Sequence, residues 1–284
     1  MELRVGNLIE LEVERETPLG FSLTNGEESI LLHSNEVNGE VTVGETVKVF
    51  LYTDQKGRLS ATMHMPKGYQ SHDWVEVIEV VRNLGVFIDI GLSKDALIPA
   101  EDLPVFESLW PKEGSLLFCR IKTDRRGMLL GKLATHDVML DKSVAAPKEI
   151  LNKNIQGTIY RLLKVGSYIF TNEGYVGFIH HSERKEEPRL GDIVEGRIID
   201  VKRDGTINVS LLPRKQEALD EDSQVILDYM ETRNGTMPYS DKSAPEDITE
   251  RFHMSKAAFK RALGRLMKEG KVYQKEGWTY RKTE

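Results

Sequence analysis

Gly157-Thr158-Ile159, Val165-Gly166-Ser167-Tyr168-Ile169, Gly177-Phe178-Ile179-His180-His181-Ser182-Glu183, Gly191-Asp192-Ile193-Val194 and Ile207-Asn208-Val209-Ser210-Leu211 follow one another between residues 155 and 211. Most are short runs of β-branched and aromatic residues, separated by glycines and charged turns. Two earlier stretches repeat the order. Glycine-led apolar runs recur at Gly20-Phe21-Ser22-Leu23 and Gly85-Val86-Phe87-Ile88, and later ones at Gly44-Glu45-Thr46-Val47 and Gly114-Ser115-Leu116-Leu117. Charged, glycine-containing turns close the three copies at 54–57, 124–127 and 202–205. A repeat of about 60 residues made of strands and tight turns is a small β-barrel used in tandem.

The fourth run of each copy fixes which side faces in. Counting from its glycine, alternate positions are Val47, Val49 and Leu51; Leu117, Cys119 and Ile121; and Val194, Gly196 and Ile198. All are apolar or small, whereas the intervening positions include Lys48, Arg120, Lys122, Glu195 and Arg197. Period-two alternation marks a strand with one buried face. Cys119, the single cysteine, falls on the inward side and reads as a small buried hydrophobe. In the third copy the strands run about 156–163, 167–171, 175–179, 193–201 and 206–211. A five-stranded Greek-key barrel of this size is the OB-fold. A β-sandwich is the alternative, but it usually needs about 100 residues.

The third copy resembles the S1 RNA-binding domain over nearly its whole length, and the first two are weaker copies. Three such domains followed by a short helical module resemble the conserved virulence factor B family of bacterial RNA-binding regulators. The resemblance implies an OB-fold that binds single-stranded RNA. The family's strand-two aromatic falls on Tyr168 and Phe87, with Ser22 in the first copy. Its strand-three histidine falls on His180 and His33, with Pro99 in the second copy. Its turn aspartate and following arginine match Asp54 and Arg58; the second copy has Asp124 with Met128, the third Lys202 with Thr206. The third copy is thus the expected RNA site, the second comes next, and the first is the weakest candidate.

The chemistry of those positions follows from the residues. A splayed-out base can stack on Tyr168, Phe87 or His180, and Phe170 and Phe178 have the strand parity to extend the platform. Arg197, Lys202 and Arg203 in the third copy, with Arg120, Lys122, Arg125 and Arg126 in the second, are expected to hold phosphates beside it. The bland alternative is that the aromatics pack seams between domains and the charges are solvated turns.

Net charge is −6, but it is segregated. Residues 1–62 hold 11 acidic and 5 basic side chains, and residues 152–213 hold 8 and 9. Residues 251–284 hold 10 basic and 3 acidic. Phosphate binding depends on local basic surface, so the third copy and the C-terminal segment are the electrostatic candidates.

From Lys215 the pattern becomes helical. Leu219, Val225, Ile226, Leu227 and Met230 supply apolar positions, and Asn234-Gly235 follows as a stop. Ser243 reads as a cap ahead of Pro245, and Ser255 as a cap ahead of a helix over 256–269 with Phe259, Ala262, Leu263 and Leu266 inward. Two short strands around Glu276-Gly277 complete a winged-helix arrangement. Its third helix carries Lys256, Lys260, Arg261, Arg265 and Lys268, a candidate surface for duplex DNA or a protein partner. The same residues also suit an ordinary solvated face.

The expected class is therefore mainly β with a C-terminal α/β module: three tandem five-stranded OB-fold barrels and a winged helix. The expected domains are 1–66, 67–143, 144–214 and 215–284. The principal reading is a non-enzymatic, cytoplasmic, single-stranded RNA-binding regulator with no cofactor, catalytic residue, metal site or small-molecule substrate. The histidines lack zinc-site spacing, and no phosphate-binding or nucleophile motif occurs. No apolar run approaches the roughly 20 residues needed to cross a bilayer, nor does the N-terminal segment read as a signal peptide. A DNA-binding regulator acting through the winged helix is the second reading, and an RNA-processing enzyme the third.

Overall fold

A computed structural model describes residues 2–124 and 126–282, without side chains for 215–218. The chain divides into two units, residues 1–211 and 212–284.

The first unit holds three closed barrels. Barrel one comprises β1 (Leu8–Thr17), β2 (Gly20–Thr24), β3 (Ser29–His33), β4 (Thr46–Thr53) and β5 (Leu59–Thr62). Barrel two comprises β6 (Asp73–Val81), β7 (Gly85–Asp89), β8 (Ala96–Pro99), β9 (Leu116–Thr123) and β10 (Leu129–Leu133). Helix α1 (His136–Lys142) follows. Barrel three comprises β11 (Asn154–Leu163), β12 (Gly166–Thr171), β13 (Val176–His180), β14 (Ile193–Val201) and β15 (Ile207–Ser210).

One register builds all three. The third strand closes on the fifth in parallel, with Leu31 opposite Ser60, Leu97 opposite Leu130 and Phe178 opposite Asn208. The first strand carries an irregularity at the same place, between Val13 and Arg15, Val77 and Glu79, and Ile159 and Arg161. An extra residue there bends the strand so that it can pair with both neighbours. Each second strand opens on a glycine for a steric reason. A Cβ on Gly20, Gly85 or Gly166 would lie 2.2, 2.0 or 2.2 Å from the carbonyl oxygen of Leu32, Ile98 or Ile179.

The inward positions are those the alternation predicts. Val13, Leu23, Leu32, Val49 and Leu51 fill barrel one; Val77, Val86, Ile88, Ile98 and Cys119 fill barrel two; Ile159, Ile169, Ile179, Ile198 and Val209 fill barrel three. Burial pushes the Cys119 thiol up to about 12. Phe50 and Tyr52 have outward parity yet are also buried, Phe50 against the segment entering barrel two and Tyr52 against Glu36 and the β7–β8 connection. Phe50 meets Tyr69 edge-on at 4.7 Å. The Tyr52 hydroxyl lies 3.1 Å from Glu36 and 3.0 Å from Ser93.

The second unit contains α2 (Lys215–Glu231), β16 (Thr236–Met237), α3 (Pro245–Phe252), α4 (Lys256–Lys268), β17 (Val272–Lys275) and β18 (Trp278–Arg281). The strands form a three-stranded sheet in the order β16-β18-β17. Ile226, Met230, Met237, Ile248, Phe252, Phe259, Leu263 and Leu266 form its core. Val225, expected among them, is exposed. Ser255 caps α4 by accepting from the Ala258 amide at 3.2 Å. Ser243 does not cap α3: Ala244 takes that position, and the Ser243 hydroxyl accepts from the Ser240 amide. Glu276 and Gly277 both have positive φ, as a tight hairpin turn requires.

Candidate nucleic-acid interface

The shared register allows the same surface to be compared in three copies. The outward pair on strands two and three is Tyr168 and Phe178 in barrel three, Phe87 and Leu97 in barrel two, and Ser22 and Leu31 in barrel one. The residue ending strand three, opposite the glycine, is His180, Pro99 and His33 respectively. Only barrel three places three rings here.

Those rings touch. Tyr168 and Phe178 have centroids 5.1 Å apart, Phe178 and His180 6.5 Å, and His180 and His181 4.2 Å. Tyr168 and Phe178 are half-buried and His180 is exposed. The His180 Nδ1 accepts from the Ser182 amide at 3.3 Å and lies 2.7 Å from the Ser182 hydroxyl. Nδ1 is thereby an acceptor, which places the neutral ring's proton on Nε2, free to donate to a ligand.

Three residues beside the shelf were not singled out in the sequence. Arg161 lies opposite Tyr168, immediately after the β11 irregularity; the equivalents are Arg15 and Glu79. His136, at the start of α1, packs on Tyr168 at 4.3 Å, with its Nδ1 2.8 Å from the Tyr160 hydroxyl. Burial first, then the Arg161 charge, hold His136 below the ordinary histidine range. Asn208 of β15 lies beside Phe178 and is half-buried. None of the sequence motifs contains Arg161 or His136, and Asn208 lies in one without being marked there; register and packing bring the three together.

Barrel one keeps an arginine at this surface, Arg15, but sets the Glu14 carboxylate 3.9 Å from it. Glu14 accepts from Ser22 at 2.8 Å and from Ser29 at 3.2 Å, and these hydrogen bonds hold its carboxyl below the usual range. A fixed carboxylate there repels phosphate.

Several expected site residues lie elsewhere. Phe170 does not extend the open platform. Its ring lies 6.3 Å from Trp74 of β6 and packs with Met139, Tyr160 and Val176 in the seam between barrels two and three. Arg197 is on β14, between Asn154 and Ser210, and β14 adjoins neither β12 nor β13. Lys202 and Arg203 are exposed in the β14–β15 turn, at the end where β13 begins. Phe87 is half-buried on β7, whereas Arg120 and Lys122 are exposed on β9, which is not its neighbour. Arg126 is exposed, with its amide held by Asp124 at 2.8 Å. Arg125 lies outside the described residues.

On α4, Lys260, Arg261 and Lys268 are exposed and Lys256 half-buried. Arg265 is not part of that open face. It is ion-paired with Asp220 of α2 and, at 2.7 Å, with Glu269. Among the described residues no group of three or more histidine, cysteine or carboxylate side chains could hold a metal ion, and no helix is long and apolar enough to cross a membrane.

Three S1-like barrels, one bearing an aromatic shelf, and a winged helix define a multidomain protein of nucleic-acid-binding architecture. Family models match four successive stretches of the chain. Residues 5–64 match the S1 domain, 72–132 the CvfB first S1-like domain, 140–213 the second domain of virulence regulatory factor CvfB, and 224–280 the CvfB-like winged helix domain. The chain belongs to the conserved virulence factor B family. It is 40% identical to conserved virulence factor B of Staphylococcus aureus strain USA300, over 90% of this chain and 88% of that one. It is 51% identical to the Bacillus subtilis protein YitL, over 99% and 94%. A Streptococcus pneumoniae crystal structure, described as a multidomain protein with nucleic acid binding domains, superposes with a TM-score of 0.69 at 36% identity, covering 98% of each chain.

Proposed function

We propose that this chain is a non-enzymatic regulator of gene expression, acting in virulence as its relatives' name states, that binds single-stranded RNA in the cytoplasm through barrel three. One observation carries the reading. Of three barrels with one register, only the third joins Tyr168, Phe178 and His180 at the outward positions of strands two and three, and it sets Arg161 opposite the tyrosine. Bases stack on the open ring faces, the His180 Nε2 proton meets a base edge or sugar oxygen, and Arg161 neutralises a phosphate, with Lys202 and Arg203 exposed at the far end of β13 for a strand that runs along it. Asn208 supplies an amide that can donate and accept beside Phe178.

The test is fluorescence anisotropy of a labelled single-stranded oligoribonucleotide with the whole chain. Stacking contributes about 1–3 kcal/mol per base, so Tyr168→Ala with His180→Ala weakens binding by about tenfold or more. Unchanged affinity in a folded double variant would remove the site. Magnesium-dependent degradation of the RNA by pure protein would overturn the non-enzymatic reading. The exposed Lys260, Arg261 and Lys268 on α4 favour one further reading, contact with a duplex by the winged helix.

A further inference from the structure

The seam between barrels two and three ends in a cationic patch. On β9, Phe118, Arg120 and Lys122 alternate with the buried Leu117, Cys119 and Ile121 and therefore point outward together. Phe118 lies opposite Trp74 of β6, with ring centroids 5.1 Å apart, and His72 stacks on Phe118 at 5.7 Å and 30°. Trp74 in turn meets Phe170 of barrel three. Rings thus run from β12, the strand that carries Tyr168, across the seam to His72.

Charge gathers where the rings end. Besides burial, Arg120, Lys142 and Lys122 hold the His72 imidazole below the ordinary histidine range. Arg120, Lys122 and Lys142 are exposed, and none has an ion-pair partner among the described residues. Lys132, opposite Arg120, is paired with Asp102 instead. Lys142 comes from the last turn of α1, whose first residue, His136, packs on Tyr168. One short helix therefore spans from the barrel-three shelf to this patch. Unpaired cations clustered around half-buried rings suit a sugar–phosphate backbone.

We propose that an RNA strand leaving the barrel-three shelf continues onto this face of barrel two, where Arg120, Lys122 and Lys142 neutralise its phosphates beside His72 and Phe118. The proposal rests on the RNA reading of barrel three. It gives Arg120 and Lys122 a different task from serving a separate platform at Phe87, and it predicts a binding site longer than one barrel.

The experiment compares oligoribonucleotides of about 6 and about 15 nucleotides, lengths chosen around the site size of one OB-fold. Both are titrated against the whole chain and an R120Q/K122Q/K142Q variant at several salt concentrations. The short oligomer should bind both proteins within twofold. The long one should bind wild type more tightly, lose roughly tenfold in the variant, and lose about 2 from its logarithmic salt slope, three phosphates at about 0.7 each. An unchanged long-oligomer affinity and slope would overturn the proposal and leave the shelf intact. Equal losses for both lengths would also overturn it, because the cations would then act through the general field. Failure of wild type to bind either oligomer would bring down the barrel-three reading, and this inference with it.

Discussion

At the scale of single residues, environment decides chemistry more than identity does. Cys119 is a thiol by sequence and a core hydrophobe by position, fully enclosed in barrel two. It should not react with an aromatic disulfide reagent in the native protein and should react fully in denaturant; rapid native labelling would contradict the inward register of β9. Burial is also the largest influence on the half-buried His136, whose imidazole it holds below the ordinary range. The unfolded chain takes up a proton near the ordinary value of about 6.5, before the folded one does. The stability that the neutral ring contributes is complete above that value and is lost as pH falls through the lowered folded value. His72, also lowered, acts in the same direction. Urea midpoints should therefore fall between about pH 7.5 and pH 5.5, and fall less steeply in His136→Gln. An equal slope in that variant would show that folding does not shift the His136 imidazole.

At the scale of elements, the barrels were legible because their rules are local. Alternation at period two and the strand-opening glycines need only neighbouring residues. Gly85→Ala should cost about 2–4 kcal/mol in urea denaturation, since its Cβ would lie 2.0 Å from a carbonyl oxygen; a loss under about 1 kcal/mol would mean that β7 can shift away from β8. The shelf was reached at Tyr168 and His180 through the S1 resemblance and at Phe178 through strand parity. Arg161 was not, because its place beside Tyr168 depends on the extra residue in β11. Phe170 has the same parity as Tyr168 and the same half-burial, but its ring meets Trp74 of barrel two, whereas Tyr168 meets His136 and Phe178. Arg265 has the spacing of an open helical stripe, yet Asp220 on another helix holds it. Parity and spacing give a side chain's direction; what meets it there comes from distant sequence.

At the scale of the whole molecule, charge separates the parts. Barrel one has Glu14 where a shelf would stand, barrel three has rings and Arg161, and α4 has exposed Lys260, Arg261 and Lys268. Reversing those three charges on α4 should abolish duplex DNA binding if the winged helix contacts duplex, while the short oligoribonucleotide keeps its affinity. Retained duplex binding would remove α4 as that contact. The most direct test of the central claim is ultraviolet crosslinking of the intact chain to single-stranded RNA, with the modified residues located by mass spectrometry. Adducts should fall on Tyr168, Phe178 and His180 of barrel three. Adducts confined to barrel one or to α4, with barrel three unmodified, would contradict it.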